Sequence, residues 1–302
     1  MPQFRLASMN IWIGCLALVV STSFLQDPEE VAKETPAQQK TEAAKAADEE
    51  QELLPSASQV IEKYVLAMGG YEVLASVQSA HLVFKGTSSN GHTIESVYYQ
   101  TRGQYVCHMQ RNGLSITRGV WTDGELNEDG SRAGFAWQRV NDGILTQKMG
   151  HELQEYLRRR SRVVSSPYWQ DDFKSIKCVG KTEVRGIPTW QLRFVDQDGS
   201  EIDRYFDAET GYLLRRKTME SFDGETHEVT RDYMDHEKKG DYVIAMRQTI
   251  SHADIVEQWN VDSFEYDGEV PEDAFEIPEA IQNQIDELKR KKAAANESAT
   301  GE

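Results

Sequence analysis

Cysteine, basic residues and long apolar runs are all scarce in this 302-residue sequence, and each scarcity removes a class of protein. Three cysteines, with no pair at metal-finger spacing, exclude a disulfide-dense mini-fold and a zinc finger. Lys and Arg number 33 against 50 Asp and Glu, a formal charge of −17. That balance argues against nucleic acid as a partner, because such a groove is fed by counterion release from basic side chains. The apolar run at 11–20 is too short for a spanning helix, which needs roughly 20 apolar residues. Catalytic signatures are lacking too. Gly180-Lys181-Thr182 ends like a phosphate loop, but Ser175 stands where the first glycine is required. His151-Glu152 is followed by Glu155 where a zinc-protease helix has its second histidine, and no Gly-x-Ser-x-Gly elbow occurs. The residues point to no catalytic group, no metal site and no cofactor.

What is present divides the chain into four parts. Residues 1–25 read as an export signal: Arg5, then the apolar run, then Ser21-Thr22-Ser23 as small residues for cleavage. An uncleaved anchor is the alternative, because apolar character resumes at Phe24-Leu25. Cys15 follows Trp12-Ile13-Gly14, where a lipid-attachment box wants Leu or Val in place of the tryptophan, so it belongs with the signal. The stretch 26–54 is acidic, lacks aromatics and cannot bury enough apolar surface to offset its chain entropy, which predicts a disordered linker. A similar tail is expected at 286–302, leaving one folded domain over 55–285.

Within that domain the hydrophobic period changes once. Val60, Ile61, Tyr64, Val65 and Met68 recur at helical spacing after Ser56 or Ser58 as N-cap, and Gly69-Gly70 stops the helix. A short helix over 71–77 follows. After it, 81–84, 93–101, 104–110 and 114–121 are rich in β-branched and aromatic residues, with Gly and Asn in the breaks. Later, Trp190, Leu192 and Phe194 alternate with Gln191 and Arg193. Asp198-Gly199, the loop 207–211 and Asp223-Gly224 are hairpin signals, so successive strands are antiparallel neighbours. One helical segment, 145–162, interrupts the strands, with Leu145, Met149, Leu153, Tyr156 and Leu157 on one face. The fold class is mainly β (α+β): about four strands, an inserted helix, then five or six strands. The long meander curls, and the two helical segments are the candidates to cover its concave face.

Several motifs resemble the LolA-like superfamily of outer-membrane lipoprotein carriers, which includes LppX-like lipid-binding lipoproteins. They are Gln59-Val60-Ile61-Glu62-Lys63-Tyr64 before Met68-Gly69-Gly70-Tyr71-Glu72, and Tyr205-Phe206-Asp207-Ala208-Glu209-Thr210-Gly211-Tyr212-Leu213. Tyr233-Met234-Asp235, 244–249, Phe264-Glu265-Tyr266 and Ala274-Phe275-Glu276-Ile277-Pro278 follow in order. The series covers roughly 57–280, and no single motif in it is specific. The resemblance implies an unclosed antiparallel half-barrel capped by helices, with an apolar cavity for acyl chains of lipoproteins or lipids. It also implies a lid contact at Arg102 in Tyr99-Gln100-Thr101-Arg102, although Gly103 replaces the family's proline.

Under that reading Phe84, Tyr98, Trp121, Trp190, Leu192, Phe194 and Trp259 are candidates for the cavity wall; the alternative is plain core beneath the helices. Arg158-Arg159-Arg160-Ser161-Arg162 reads as a solvated helix C-terminus that complements the dipole, or else as a patch for anionic headgroups. Asp232, Asp235, His236 and Glu237 read as a solvated hairpin end rather than a metal site. Cys107 and Cys178 are either a bridge or free thiols in strands. The expected function is an exported, periplasmic binder or carrier of acyl chains, with a membrane-bound donor or acceptor protein as a further partner. A membrane-tethered interaction or sensing module on the same scaffold is the alternative. A concave face filled by the helix over 57–68, with no cavity left, would count against the carrier reading.

Overall fold

Alternation at period two dominates the chain from residue 79 onward, and the computed structural model turns it into one sheet. The structure describes residues 54–126, 131–141, 143, 145–160, 163–164, 167, 169–197, 199–222, 225–271 and 273–299. The segments expected as export signal and, almost entirely, as linker, and the last residues of the expected tail, lie outside the described residues.

Among the described residues two helices come first: α1 (Ala57–Ala67) and α2 (Tyr71–Ser76). A reciprocal capping box starts α1. The Gln59 backbone N–H donates to Ser56 Oγ at 3.2 Å, and the Ser56 N–H donates to Gln59 Oε1 at 2.8 Å. Gly69 and Gly70 end the helix with φ of +133° and +91°, values that side chains disfavour.

Six strands follow: β1 (Ser79–Ser88), β2 (Thr93–Thr101), β3 (Gln104–Arg111), β4 (Leu114–Leu126), β5 (Arg132–Val140) and β6 (Leu145–Gln147). Then come α3 (Gly150–Arg160) and α4 (Trp169–Asp172). Seven more strands complete the sheet: β7 (Ser175–Val184), β8 (Ile187–Val195), β9 (Glu201–Asp207), β10 (Leu213–Phe222), β11 (Glu225–Lys239), β12 (Tyr242–His252) and β13 (Ile255–Tyr266). A long C-terminal helix, α5 (Glu279–Ala299), closes the chain.

All 13 strands form one unclosed sheet in the order β6-β5-β4-β3-β2-β1-β13-β12-β11-β10-β9-β8-β7. Every pairing is antiparallel. The chain therefore starts in the middle of the sheet and runs out to β6. It then crosses to the far edge at β7 and meanders back until β13 pairs with β1. This is the expected mainly-β, unclosed half-barrel.

The inner face is covered at two places. Helix α1 packs Val60, Ile61 and Val65 on Leu192, Phe194, Ile202 and Phe206, with Trp169 and Phe173 alongside. Helix α3 buries Leu157 against Tyr105, Cys107, Val120 and Ala136. The hairpin 207–211 is fitted to α1: Asp207 Oδ1 accepts from the Glu209 N–H at 2.8 Å, and Lys63 Nζ donates to the Ala208 carbonyl at 2.8 Å. A Cβ on Gly211 would press into the Lys63 backbone.

Three sequence expectations change, and the rejected phosphate-loop triplet finds its place. There are six strands before the inserted helix and seven after it: β6 has only three residues, and β5 and β7 carry charged residues that mask their alternation. Leu145 opens strand β6 rather than the helix, and Met149 is exposed. Gly180-Lys181-Thr182 lies inside β7, where a bulge at Cys178/Gly180 turns Val179 outward. The region expected as a tail from 286 continues α5 to Ala299. That helix lies on the outer face, where Ile281 and Ile285 bury against Trp121 and Trp137. Its sequence reads as polar because only this narrow stripe is apolar.

Replacing Ile285 with Ala should cost about 2–5 kcal/mol, the usual loss for a fully buried Ile. Urea denaturation followed by circular dichroism reads it. A change within about 0.5 kcal/mol, as for a surface substitution, would show that α5 does not dock.

Candidate functional site

Between the two covered regions the inner face stays open. Side chains of β1–β4 and β10–β13 there surround a cavity of about 520 Å³. Its apolar wall is built from Leu82 and Phe84 on β1, Tyr98 on β2, Ile116 on β4, Ile250 on β12 and Trp259 on β13. The rings form a chain of contacts: Phe84 meets Tyr98 at 5.4 Å and Trp259 at 6.2 Å between centroids, and Tyr98 meets Tyr105 at 6.1 Å. Such offset and edge-on pairs add to the stabilisation from burial alone. One end is held by a polar relay. Trp259 Nε1 donates to Glu257 Oε2 at 3.0 Å, and Arg111 Nη2 lies 2.7 Å from Glu257 Oε1.

A second cavity of about 220 Å³ lies beside it, bounded by α1, α3, α4 and strands β8–β10. Ile61, Tyr64, Phe173, Phe194 and Phe206 supply its apolar surface, and Arg158, Arg160, Arg204 and Arg216 its charge. Three of these guanidinium groups rest on rings. Arg160 lies 3.9 Å from the Tyr105 centroid, Arg204 4.3 Å from Phe194, and Arg158 5.5 Å from Phe173. Arg158 also pairs with the buried Asp196 and donates to the Asp172 carbonyl. Arg160 lines both cavities. Burial pushes the Tyr64 hydroxyl up to about 12. It pushes Tyr105 well above its usual 10, partly opposed by Arg160. These phenols stay neutral and can act as hydrogen-bond donors inside the cavities.

The sequence candidates separate in space. Phe84, Tyr98 and Trp259 meet in the larger cavity, and Phe194 borders the smaller one. Leu192 and Trp190 pack in the cluster under α1. Trp121 is on the other face, beneath α5, one position out of phase with the inward Val120. Arg102 donates from Nη2 to the Ala75 carbonyl at 3.2 Å, fastening the β2–β3 turn to the last turn of α2. The patch at 158–162 turns inward at Arg158 and Arg160 instead of staying solvated, because α3 lies across the sheet and points its C-terminus into the concavity. Sequence reasoning missed Arg204, Arg216 and Arg231. Their signal was parity: each shares strand phase with inward apolar neighbours, as in Ile202-x-Arg204-x-Phe206, Leu214-x-Arg216 and Val229-x-Arg231.

The acidic cluster resolves into separate pairings. Asp232 takes a two-pronged contact from Arg215 at 2.6 and 2.9 Å, Asp235 meets Arg247 at 2.9 Å, and Glu237 meets Lys239 at 2.8 Å. His236 stacks on Tyr212 at 4.5 Å. Cys107 and Cys178 are free thiols.

No family model and no curated protein matches the sequence. Among solved structures the chain is similar to a DUF1329 family protein from Desulfovibrio piger: 11% identity, 72% of this chain and 96% of that one, TM-score 0.47. It is similar to a LolA superfamily protein from Nitrosomonas europaea: 9% identity, 74% and 99% coverage, TM-score 0.46. The lipoprotein LppX of Mycobacterium tuberculosis follows at 12% identity, 72% and 99% coverage, TM-score 0.23.

Burial holds the pKa of His236 below its ordinary 6.5, against an opposing hydrogen bond with the Leu213 backbone. A depressed histidine stabilises the fold fully above the unfolded value. That contribution is lost as pH falls below 6.5, where the unfolded chain takes up the proton first. His236→Gln should therefore flatten the loss of stability between pH 7.5 and 5.5 in urea titrations. Parallel profiles for the two proteins would contradict this assignment.

Proposed function

We propose that this chain is an exported binder or carrier of acyl chains, with the cavity of about 520 Å³ on the inner face as the binding site. The observation that carries the reading is the partial cover of the sheet. Helix α1 lies over β7–β9 and helix α3 over β3–β5, so the Leu82, Phe84, Ile250 and Trp259 wall between them packs under neither, while Tyr98 borders α3 and Arg160 reaches in from its end. Ligand sites are concave, lined by apolar and aromatic side chains and furnished with a few polar groups, and this cavity meets that description. Its volume also lies in the usual range for a small-molecule pocket.

Binding here requires no bond chemistry. An acyl chain gains by leaving water for the Leu82, Phe84, Tyr98, Ile250 and Trp259 surface, at roughly 0.8 kcal/mol for each buried methylene. Release needs only an acceptor that buries the chain equally well, which suits a membrane-bound partner on either side of a transfer. Arg102, by tying the β2–β3 turn to α2, would hold one end of the cover in place. A cleaved export signal fits a shuttle that leaves the membrane, and mass spectrometry of the mature N-terminus reads whether cleavage occurs.

The binding test uses a fluorescent fatty acid and the whole mature chain. Leu82 and Ile250 are half-buried in the wall, so Leu82→Asp and Ile250→Asp place charge in the cavity without removing core. Each should weaken binding by about tenfold or more, equivalent to about 1.4 kcal/mol, while the circular dichroism spectrum stays that of wild type. Unchanged affinity in both folded variants would move the site elsewhere.

A further inference from the structure

The inner face carries a line of charge that a purely apolar cargo does not explain. Arg204 on β9, Arg216 on β10 and Arg231 on β11 are direct cross-strand partners in register. Neighbouring strands lie about 4.8 Å apart, so the three positions span about 10 Å. Like charges set directly opposite one another repel. The row continues, in the same register, into Ile250 on β12. It therefore runs from the smaller cavity, lined by Arg204 and Arg216, into the larger one, lined by Arg231 and Ile250.

Arginines outnumber the carboxylates facing this region. Arg158 and Arg160 face it from α3, Asp172 faces it from α4, and Asp196 pairs with Arg158; the larger cavity adds Arg111, Arg118 and Arg231 against Glu220 and Glu257, the last paired with Arg111. Four guanidinium groups and one carboxylate line the smaller cavity. This stands inside a chain of net charge −17, so composition does not account for a cationic interior. A concave, partly dry site of one sign focuses its field on ions of the other. Arginine, moreover, offers a planar fork matched to phosphate and carboxylate oxygens, and rings at 4.3 Å (Phe194 under Arg204) and 3.9 Å (Tyr105 under Arg160) orient the forks.

We infer that the ligand is an anionic amphiphile whose oxyanionic head sits on the Arg204–Arg216–Arg231 row, faced by Arg160, while its chain fills the larger cavity. This deepens the acyl-chain reading and rests on it. The recognised chemistry is a single oxyanion joined to a long alkyl chain.

The test compares two probes that differ only in a phosphate: monooleoylglycerol and 1-oleoyl lysophosphatidic acid, both displacing a fluorescent fatty acid from the whole mature chain. Glycerol 3-phosphate serves as the head alone. Lysophosphatidic acid should bind about tenfold or more tighter than monooleoylglycerol, and 1 M NaCl should narrow the gap. The double variant Arg216→Gln/Arg231→Gln should bring the ratio of the two affinities close to one, chiefly by weakening lysophosphatidic acid. Should that variant not fold, Arg160→Gln on α3 is expected to lose part of the same selectivity, and the salt effect in wild type stands independently. Equal affinity for the two lipids overturns the inference while the acyl-chain reading survives. Binding of neither lipid overturns both. Glycerol 3-phosphate binding as tightly as lysophosphatidic acid overturns the inference in favour of a free anion.

Discussion

The pairing of β1 with β13 is the constraint on which the rest of the architecture depends. Because the first strand lies mid-sheet, the chain must run out to one edge and return from the other. The path between the edges is the segment 148–174, and its described helices, α3 and α4, pack on the inner face. The cover that α3 and α4 give the concavity is thus a consequence of topology, and so is the inward turn of the arginines at the end of α3; α1 reaches its place from the chain before β1. The end of the seam is fixed by Asp267, whose carboxylate accepts the Gln78 and Ser79 N–H groups at 2.6 and 3.2 Å, while its own N–H donates to the Ser79 carbonyl at 3.1 Å.

Cover on one face is partial by the same logic. Helix α1 has 11 residues and a narrow apolar stripe, enough for the β7–β9 end of the sheet but not for its middle. Helix α3, also 11 residues, serves the β3–β5 end. The strands between them, β12 and β13 with β1, carry rings and aliphatic side chains such as Phe84, Ile250 and Trp259 that pack under neither helix. The outer face has its own arrangement. Gly119 leaves room for the Trp137 indole, which a Cβ there would overlap, and α5 closes over that tryptophan and Trp121.

Much of this was legible in the sequence, and the failures have physical reasons. The change from helical to strand periodicity after residue 77, the capping residues of α1 and the Gly69-Gly70 stop were all visible because they are local. Strands β5 to β7 were harder: β6 is only three residues long, charged residues interrupt β5 and β7, and the bulge at Cys178/Gly180 breaks the alternation of β7. Trp121 was misassigned to the cavity wall because residue type says nothing about which face of a strand it occupies; its neighbour Val120 takes the inward place. The arginine row was missed for the opposite reason. Arg204, Arg216 and Arg231 are far apart in sequence, and only the register of three strands brings them side by side.

The account holds that an open, partly covered concavity with an apolar wall and a cationic rim carries a single-chain anionic lipid. The most direct measurement is native mass spectrometry, with organic extraction, on the protein purified from the cells that make it. The account predicts a complex heavier than the mature chain by one acyl-bearing species, and an extract in which that species is anionic. An empty protein that also takes up no added fatty acid or lysophosphatidic acid would contradict it.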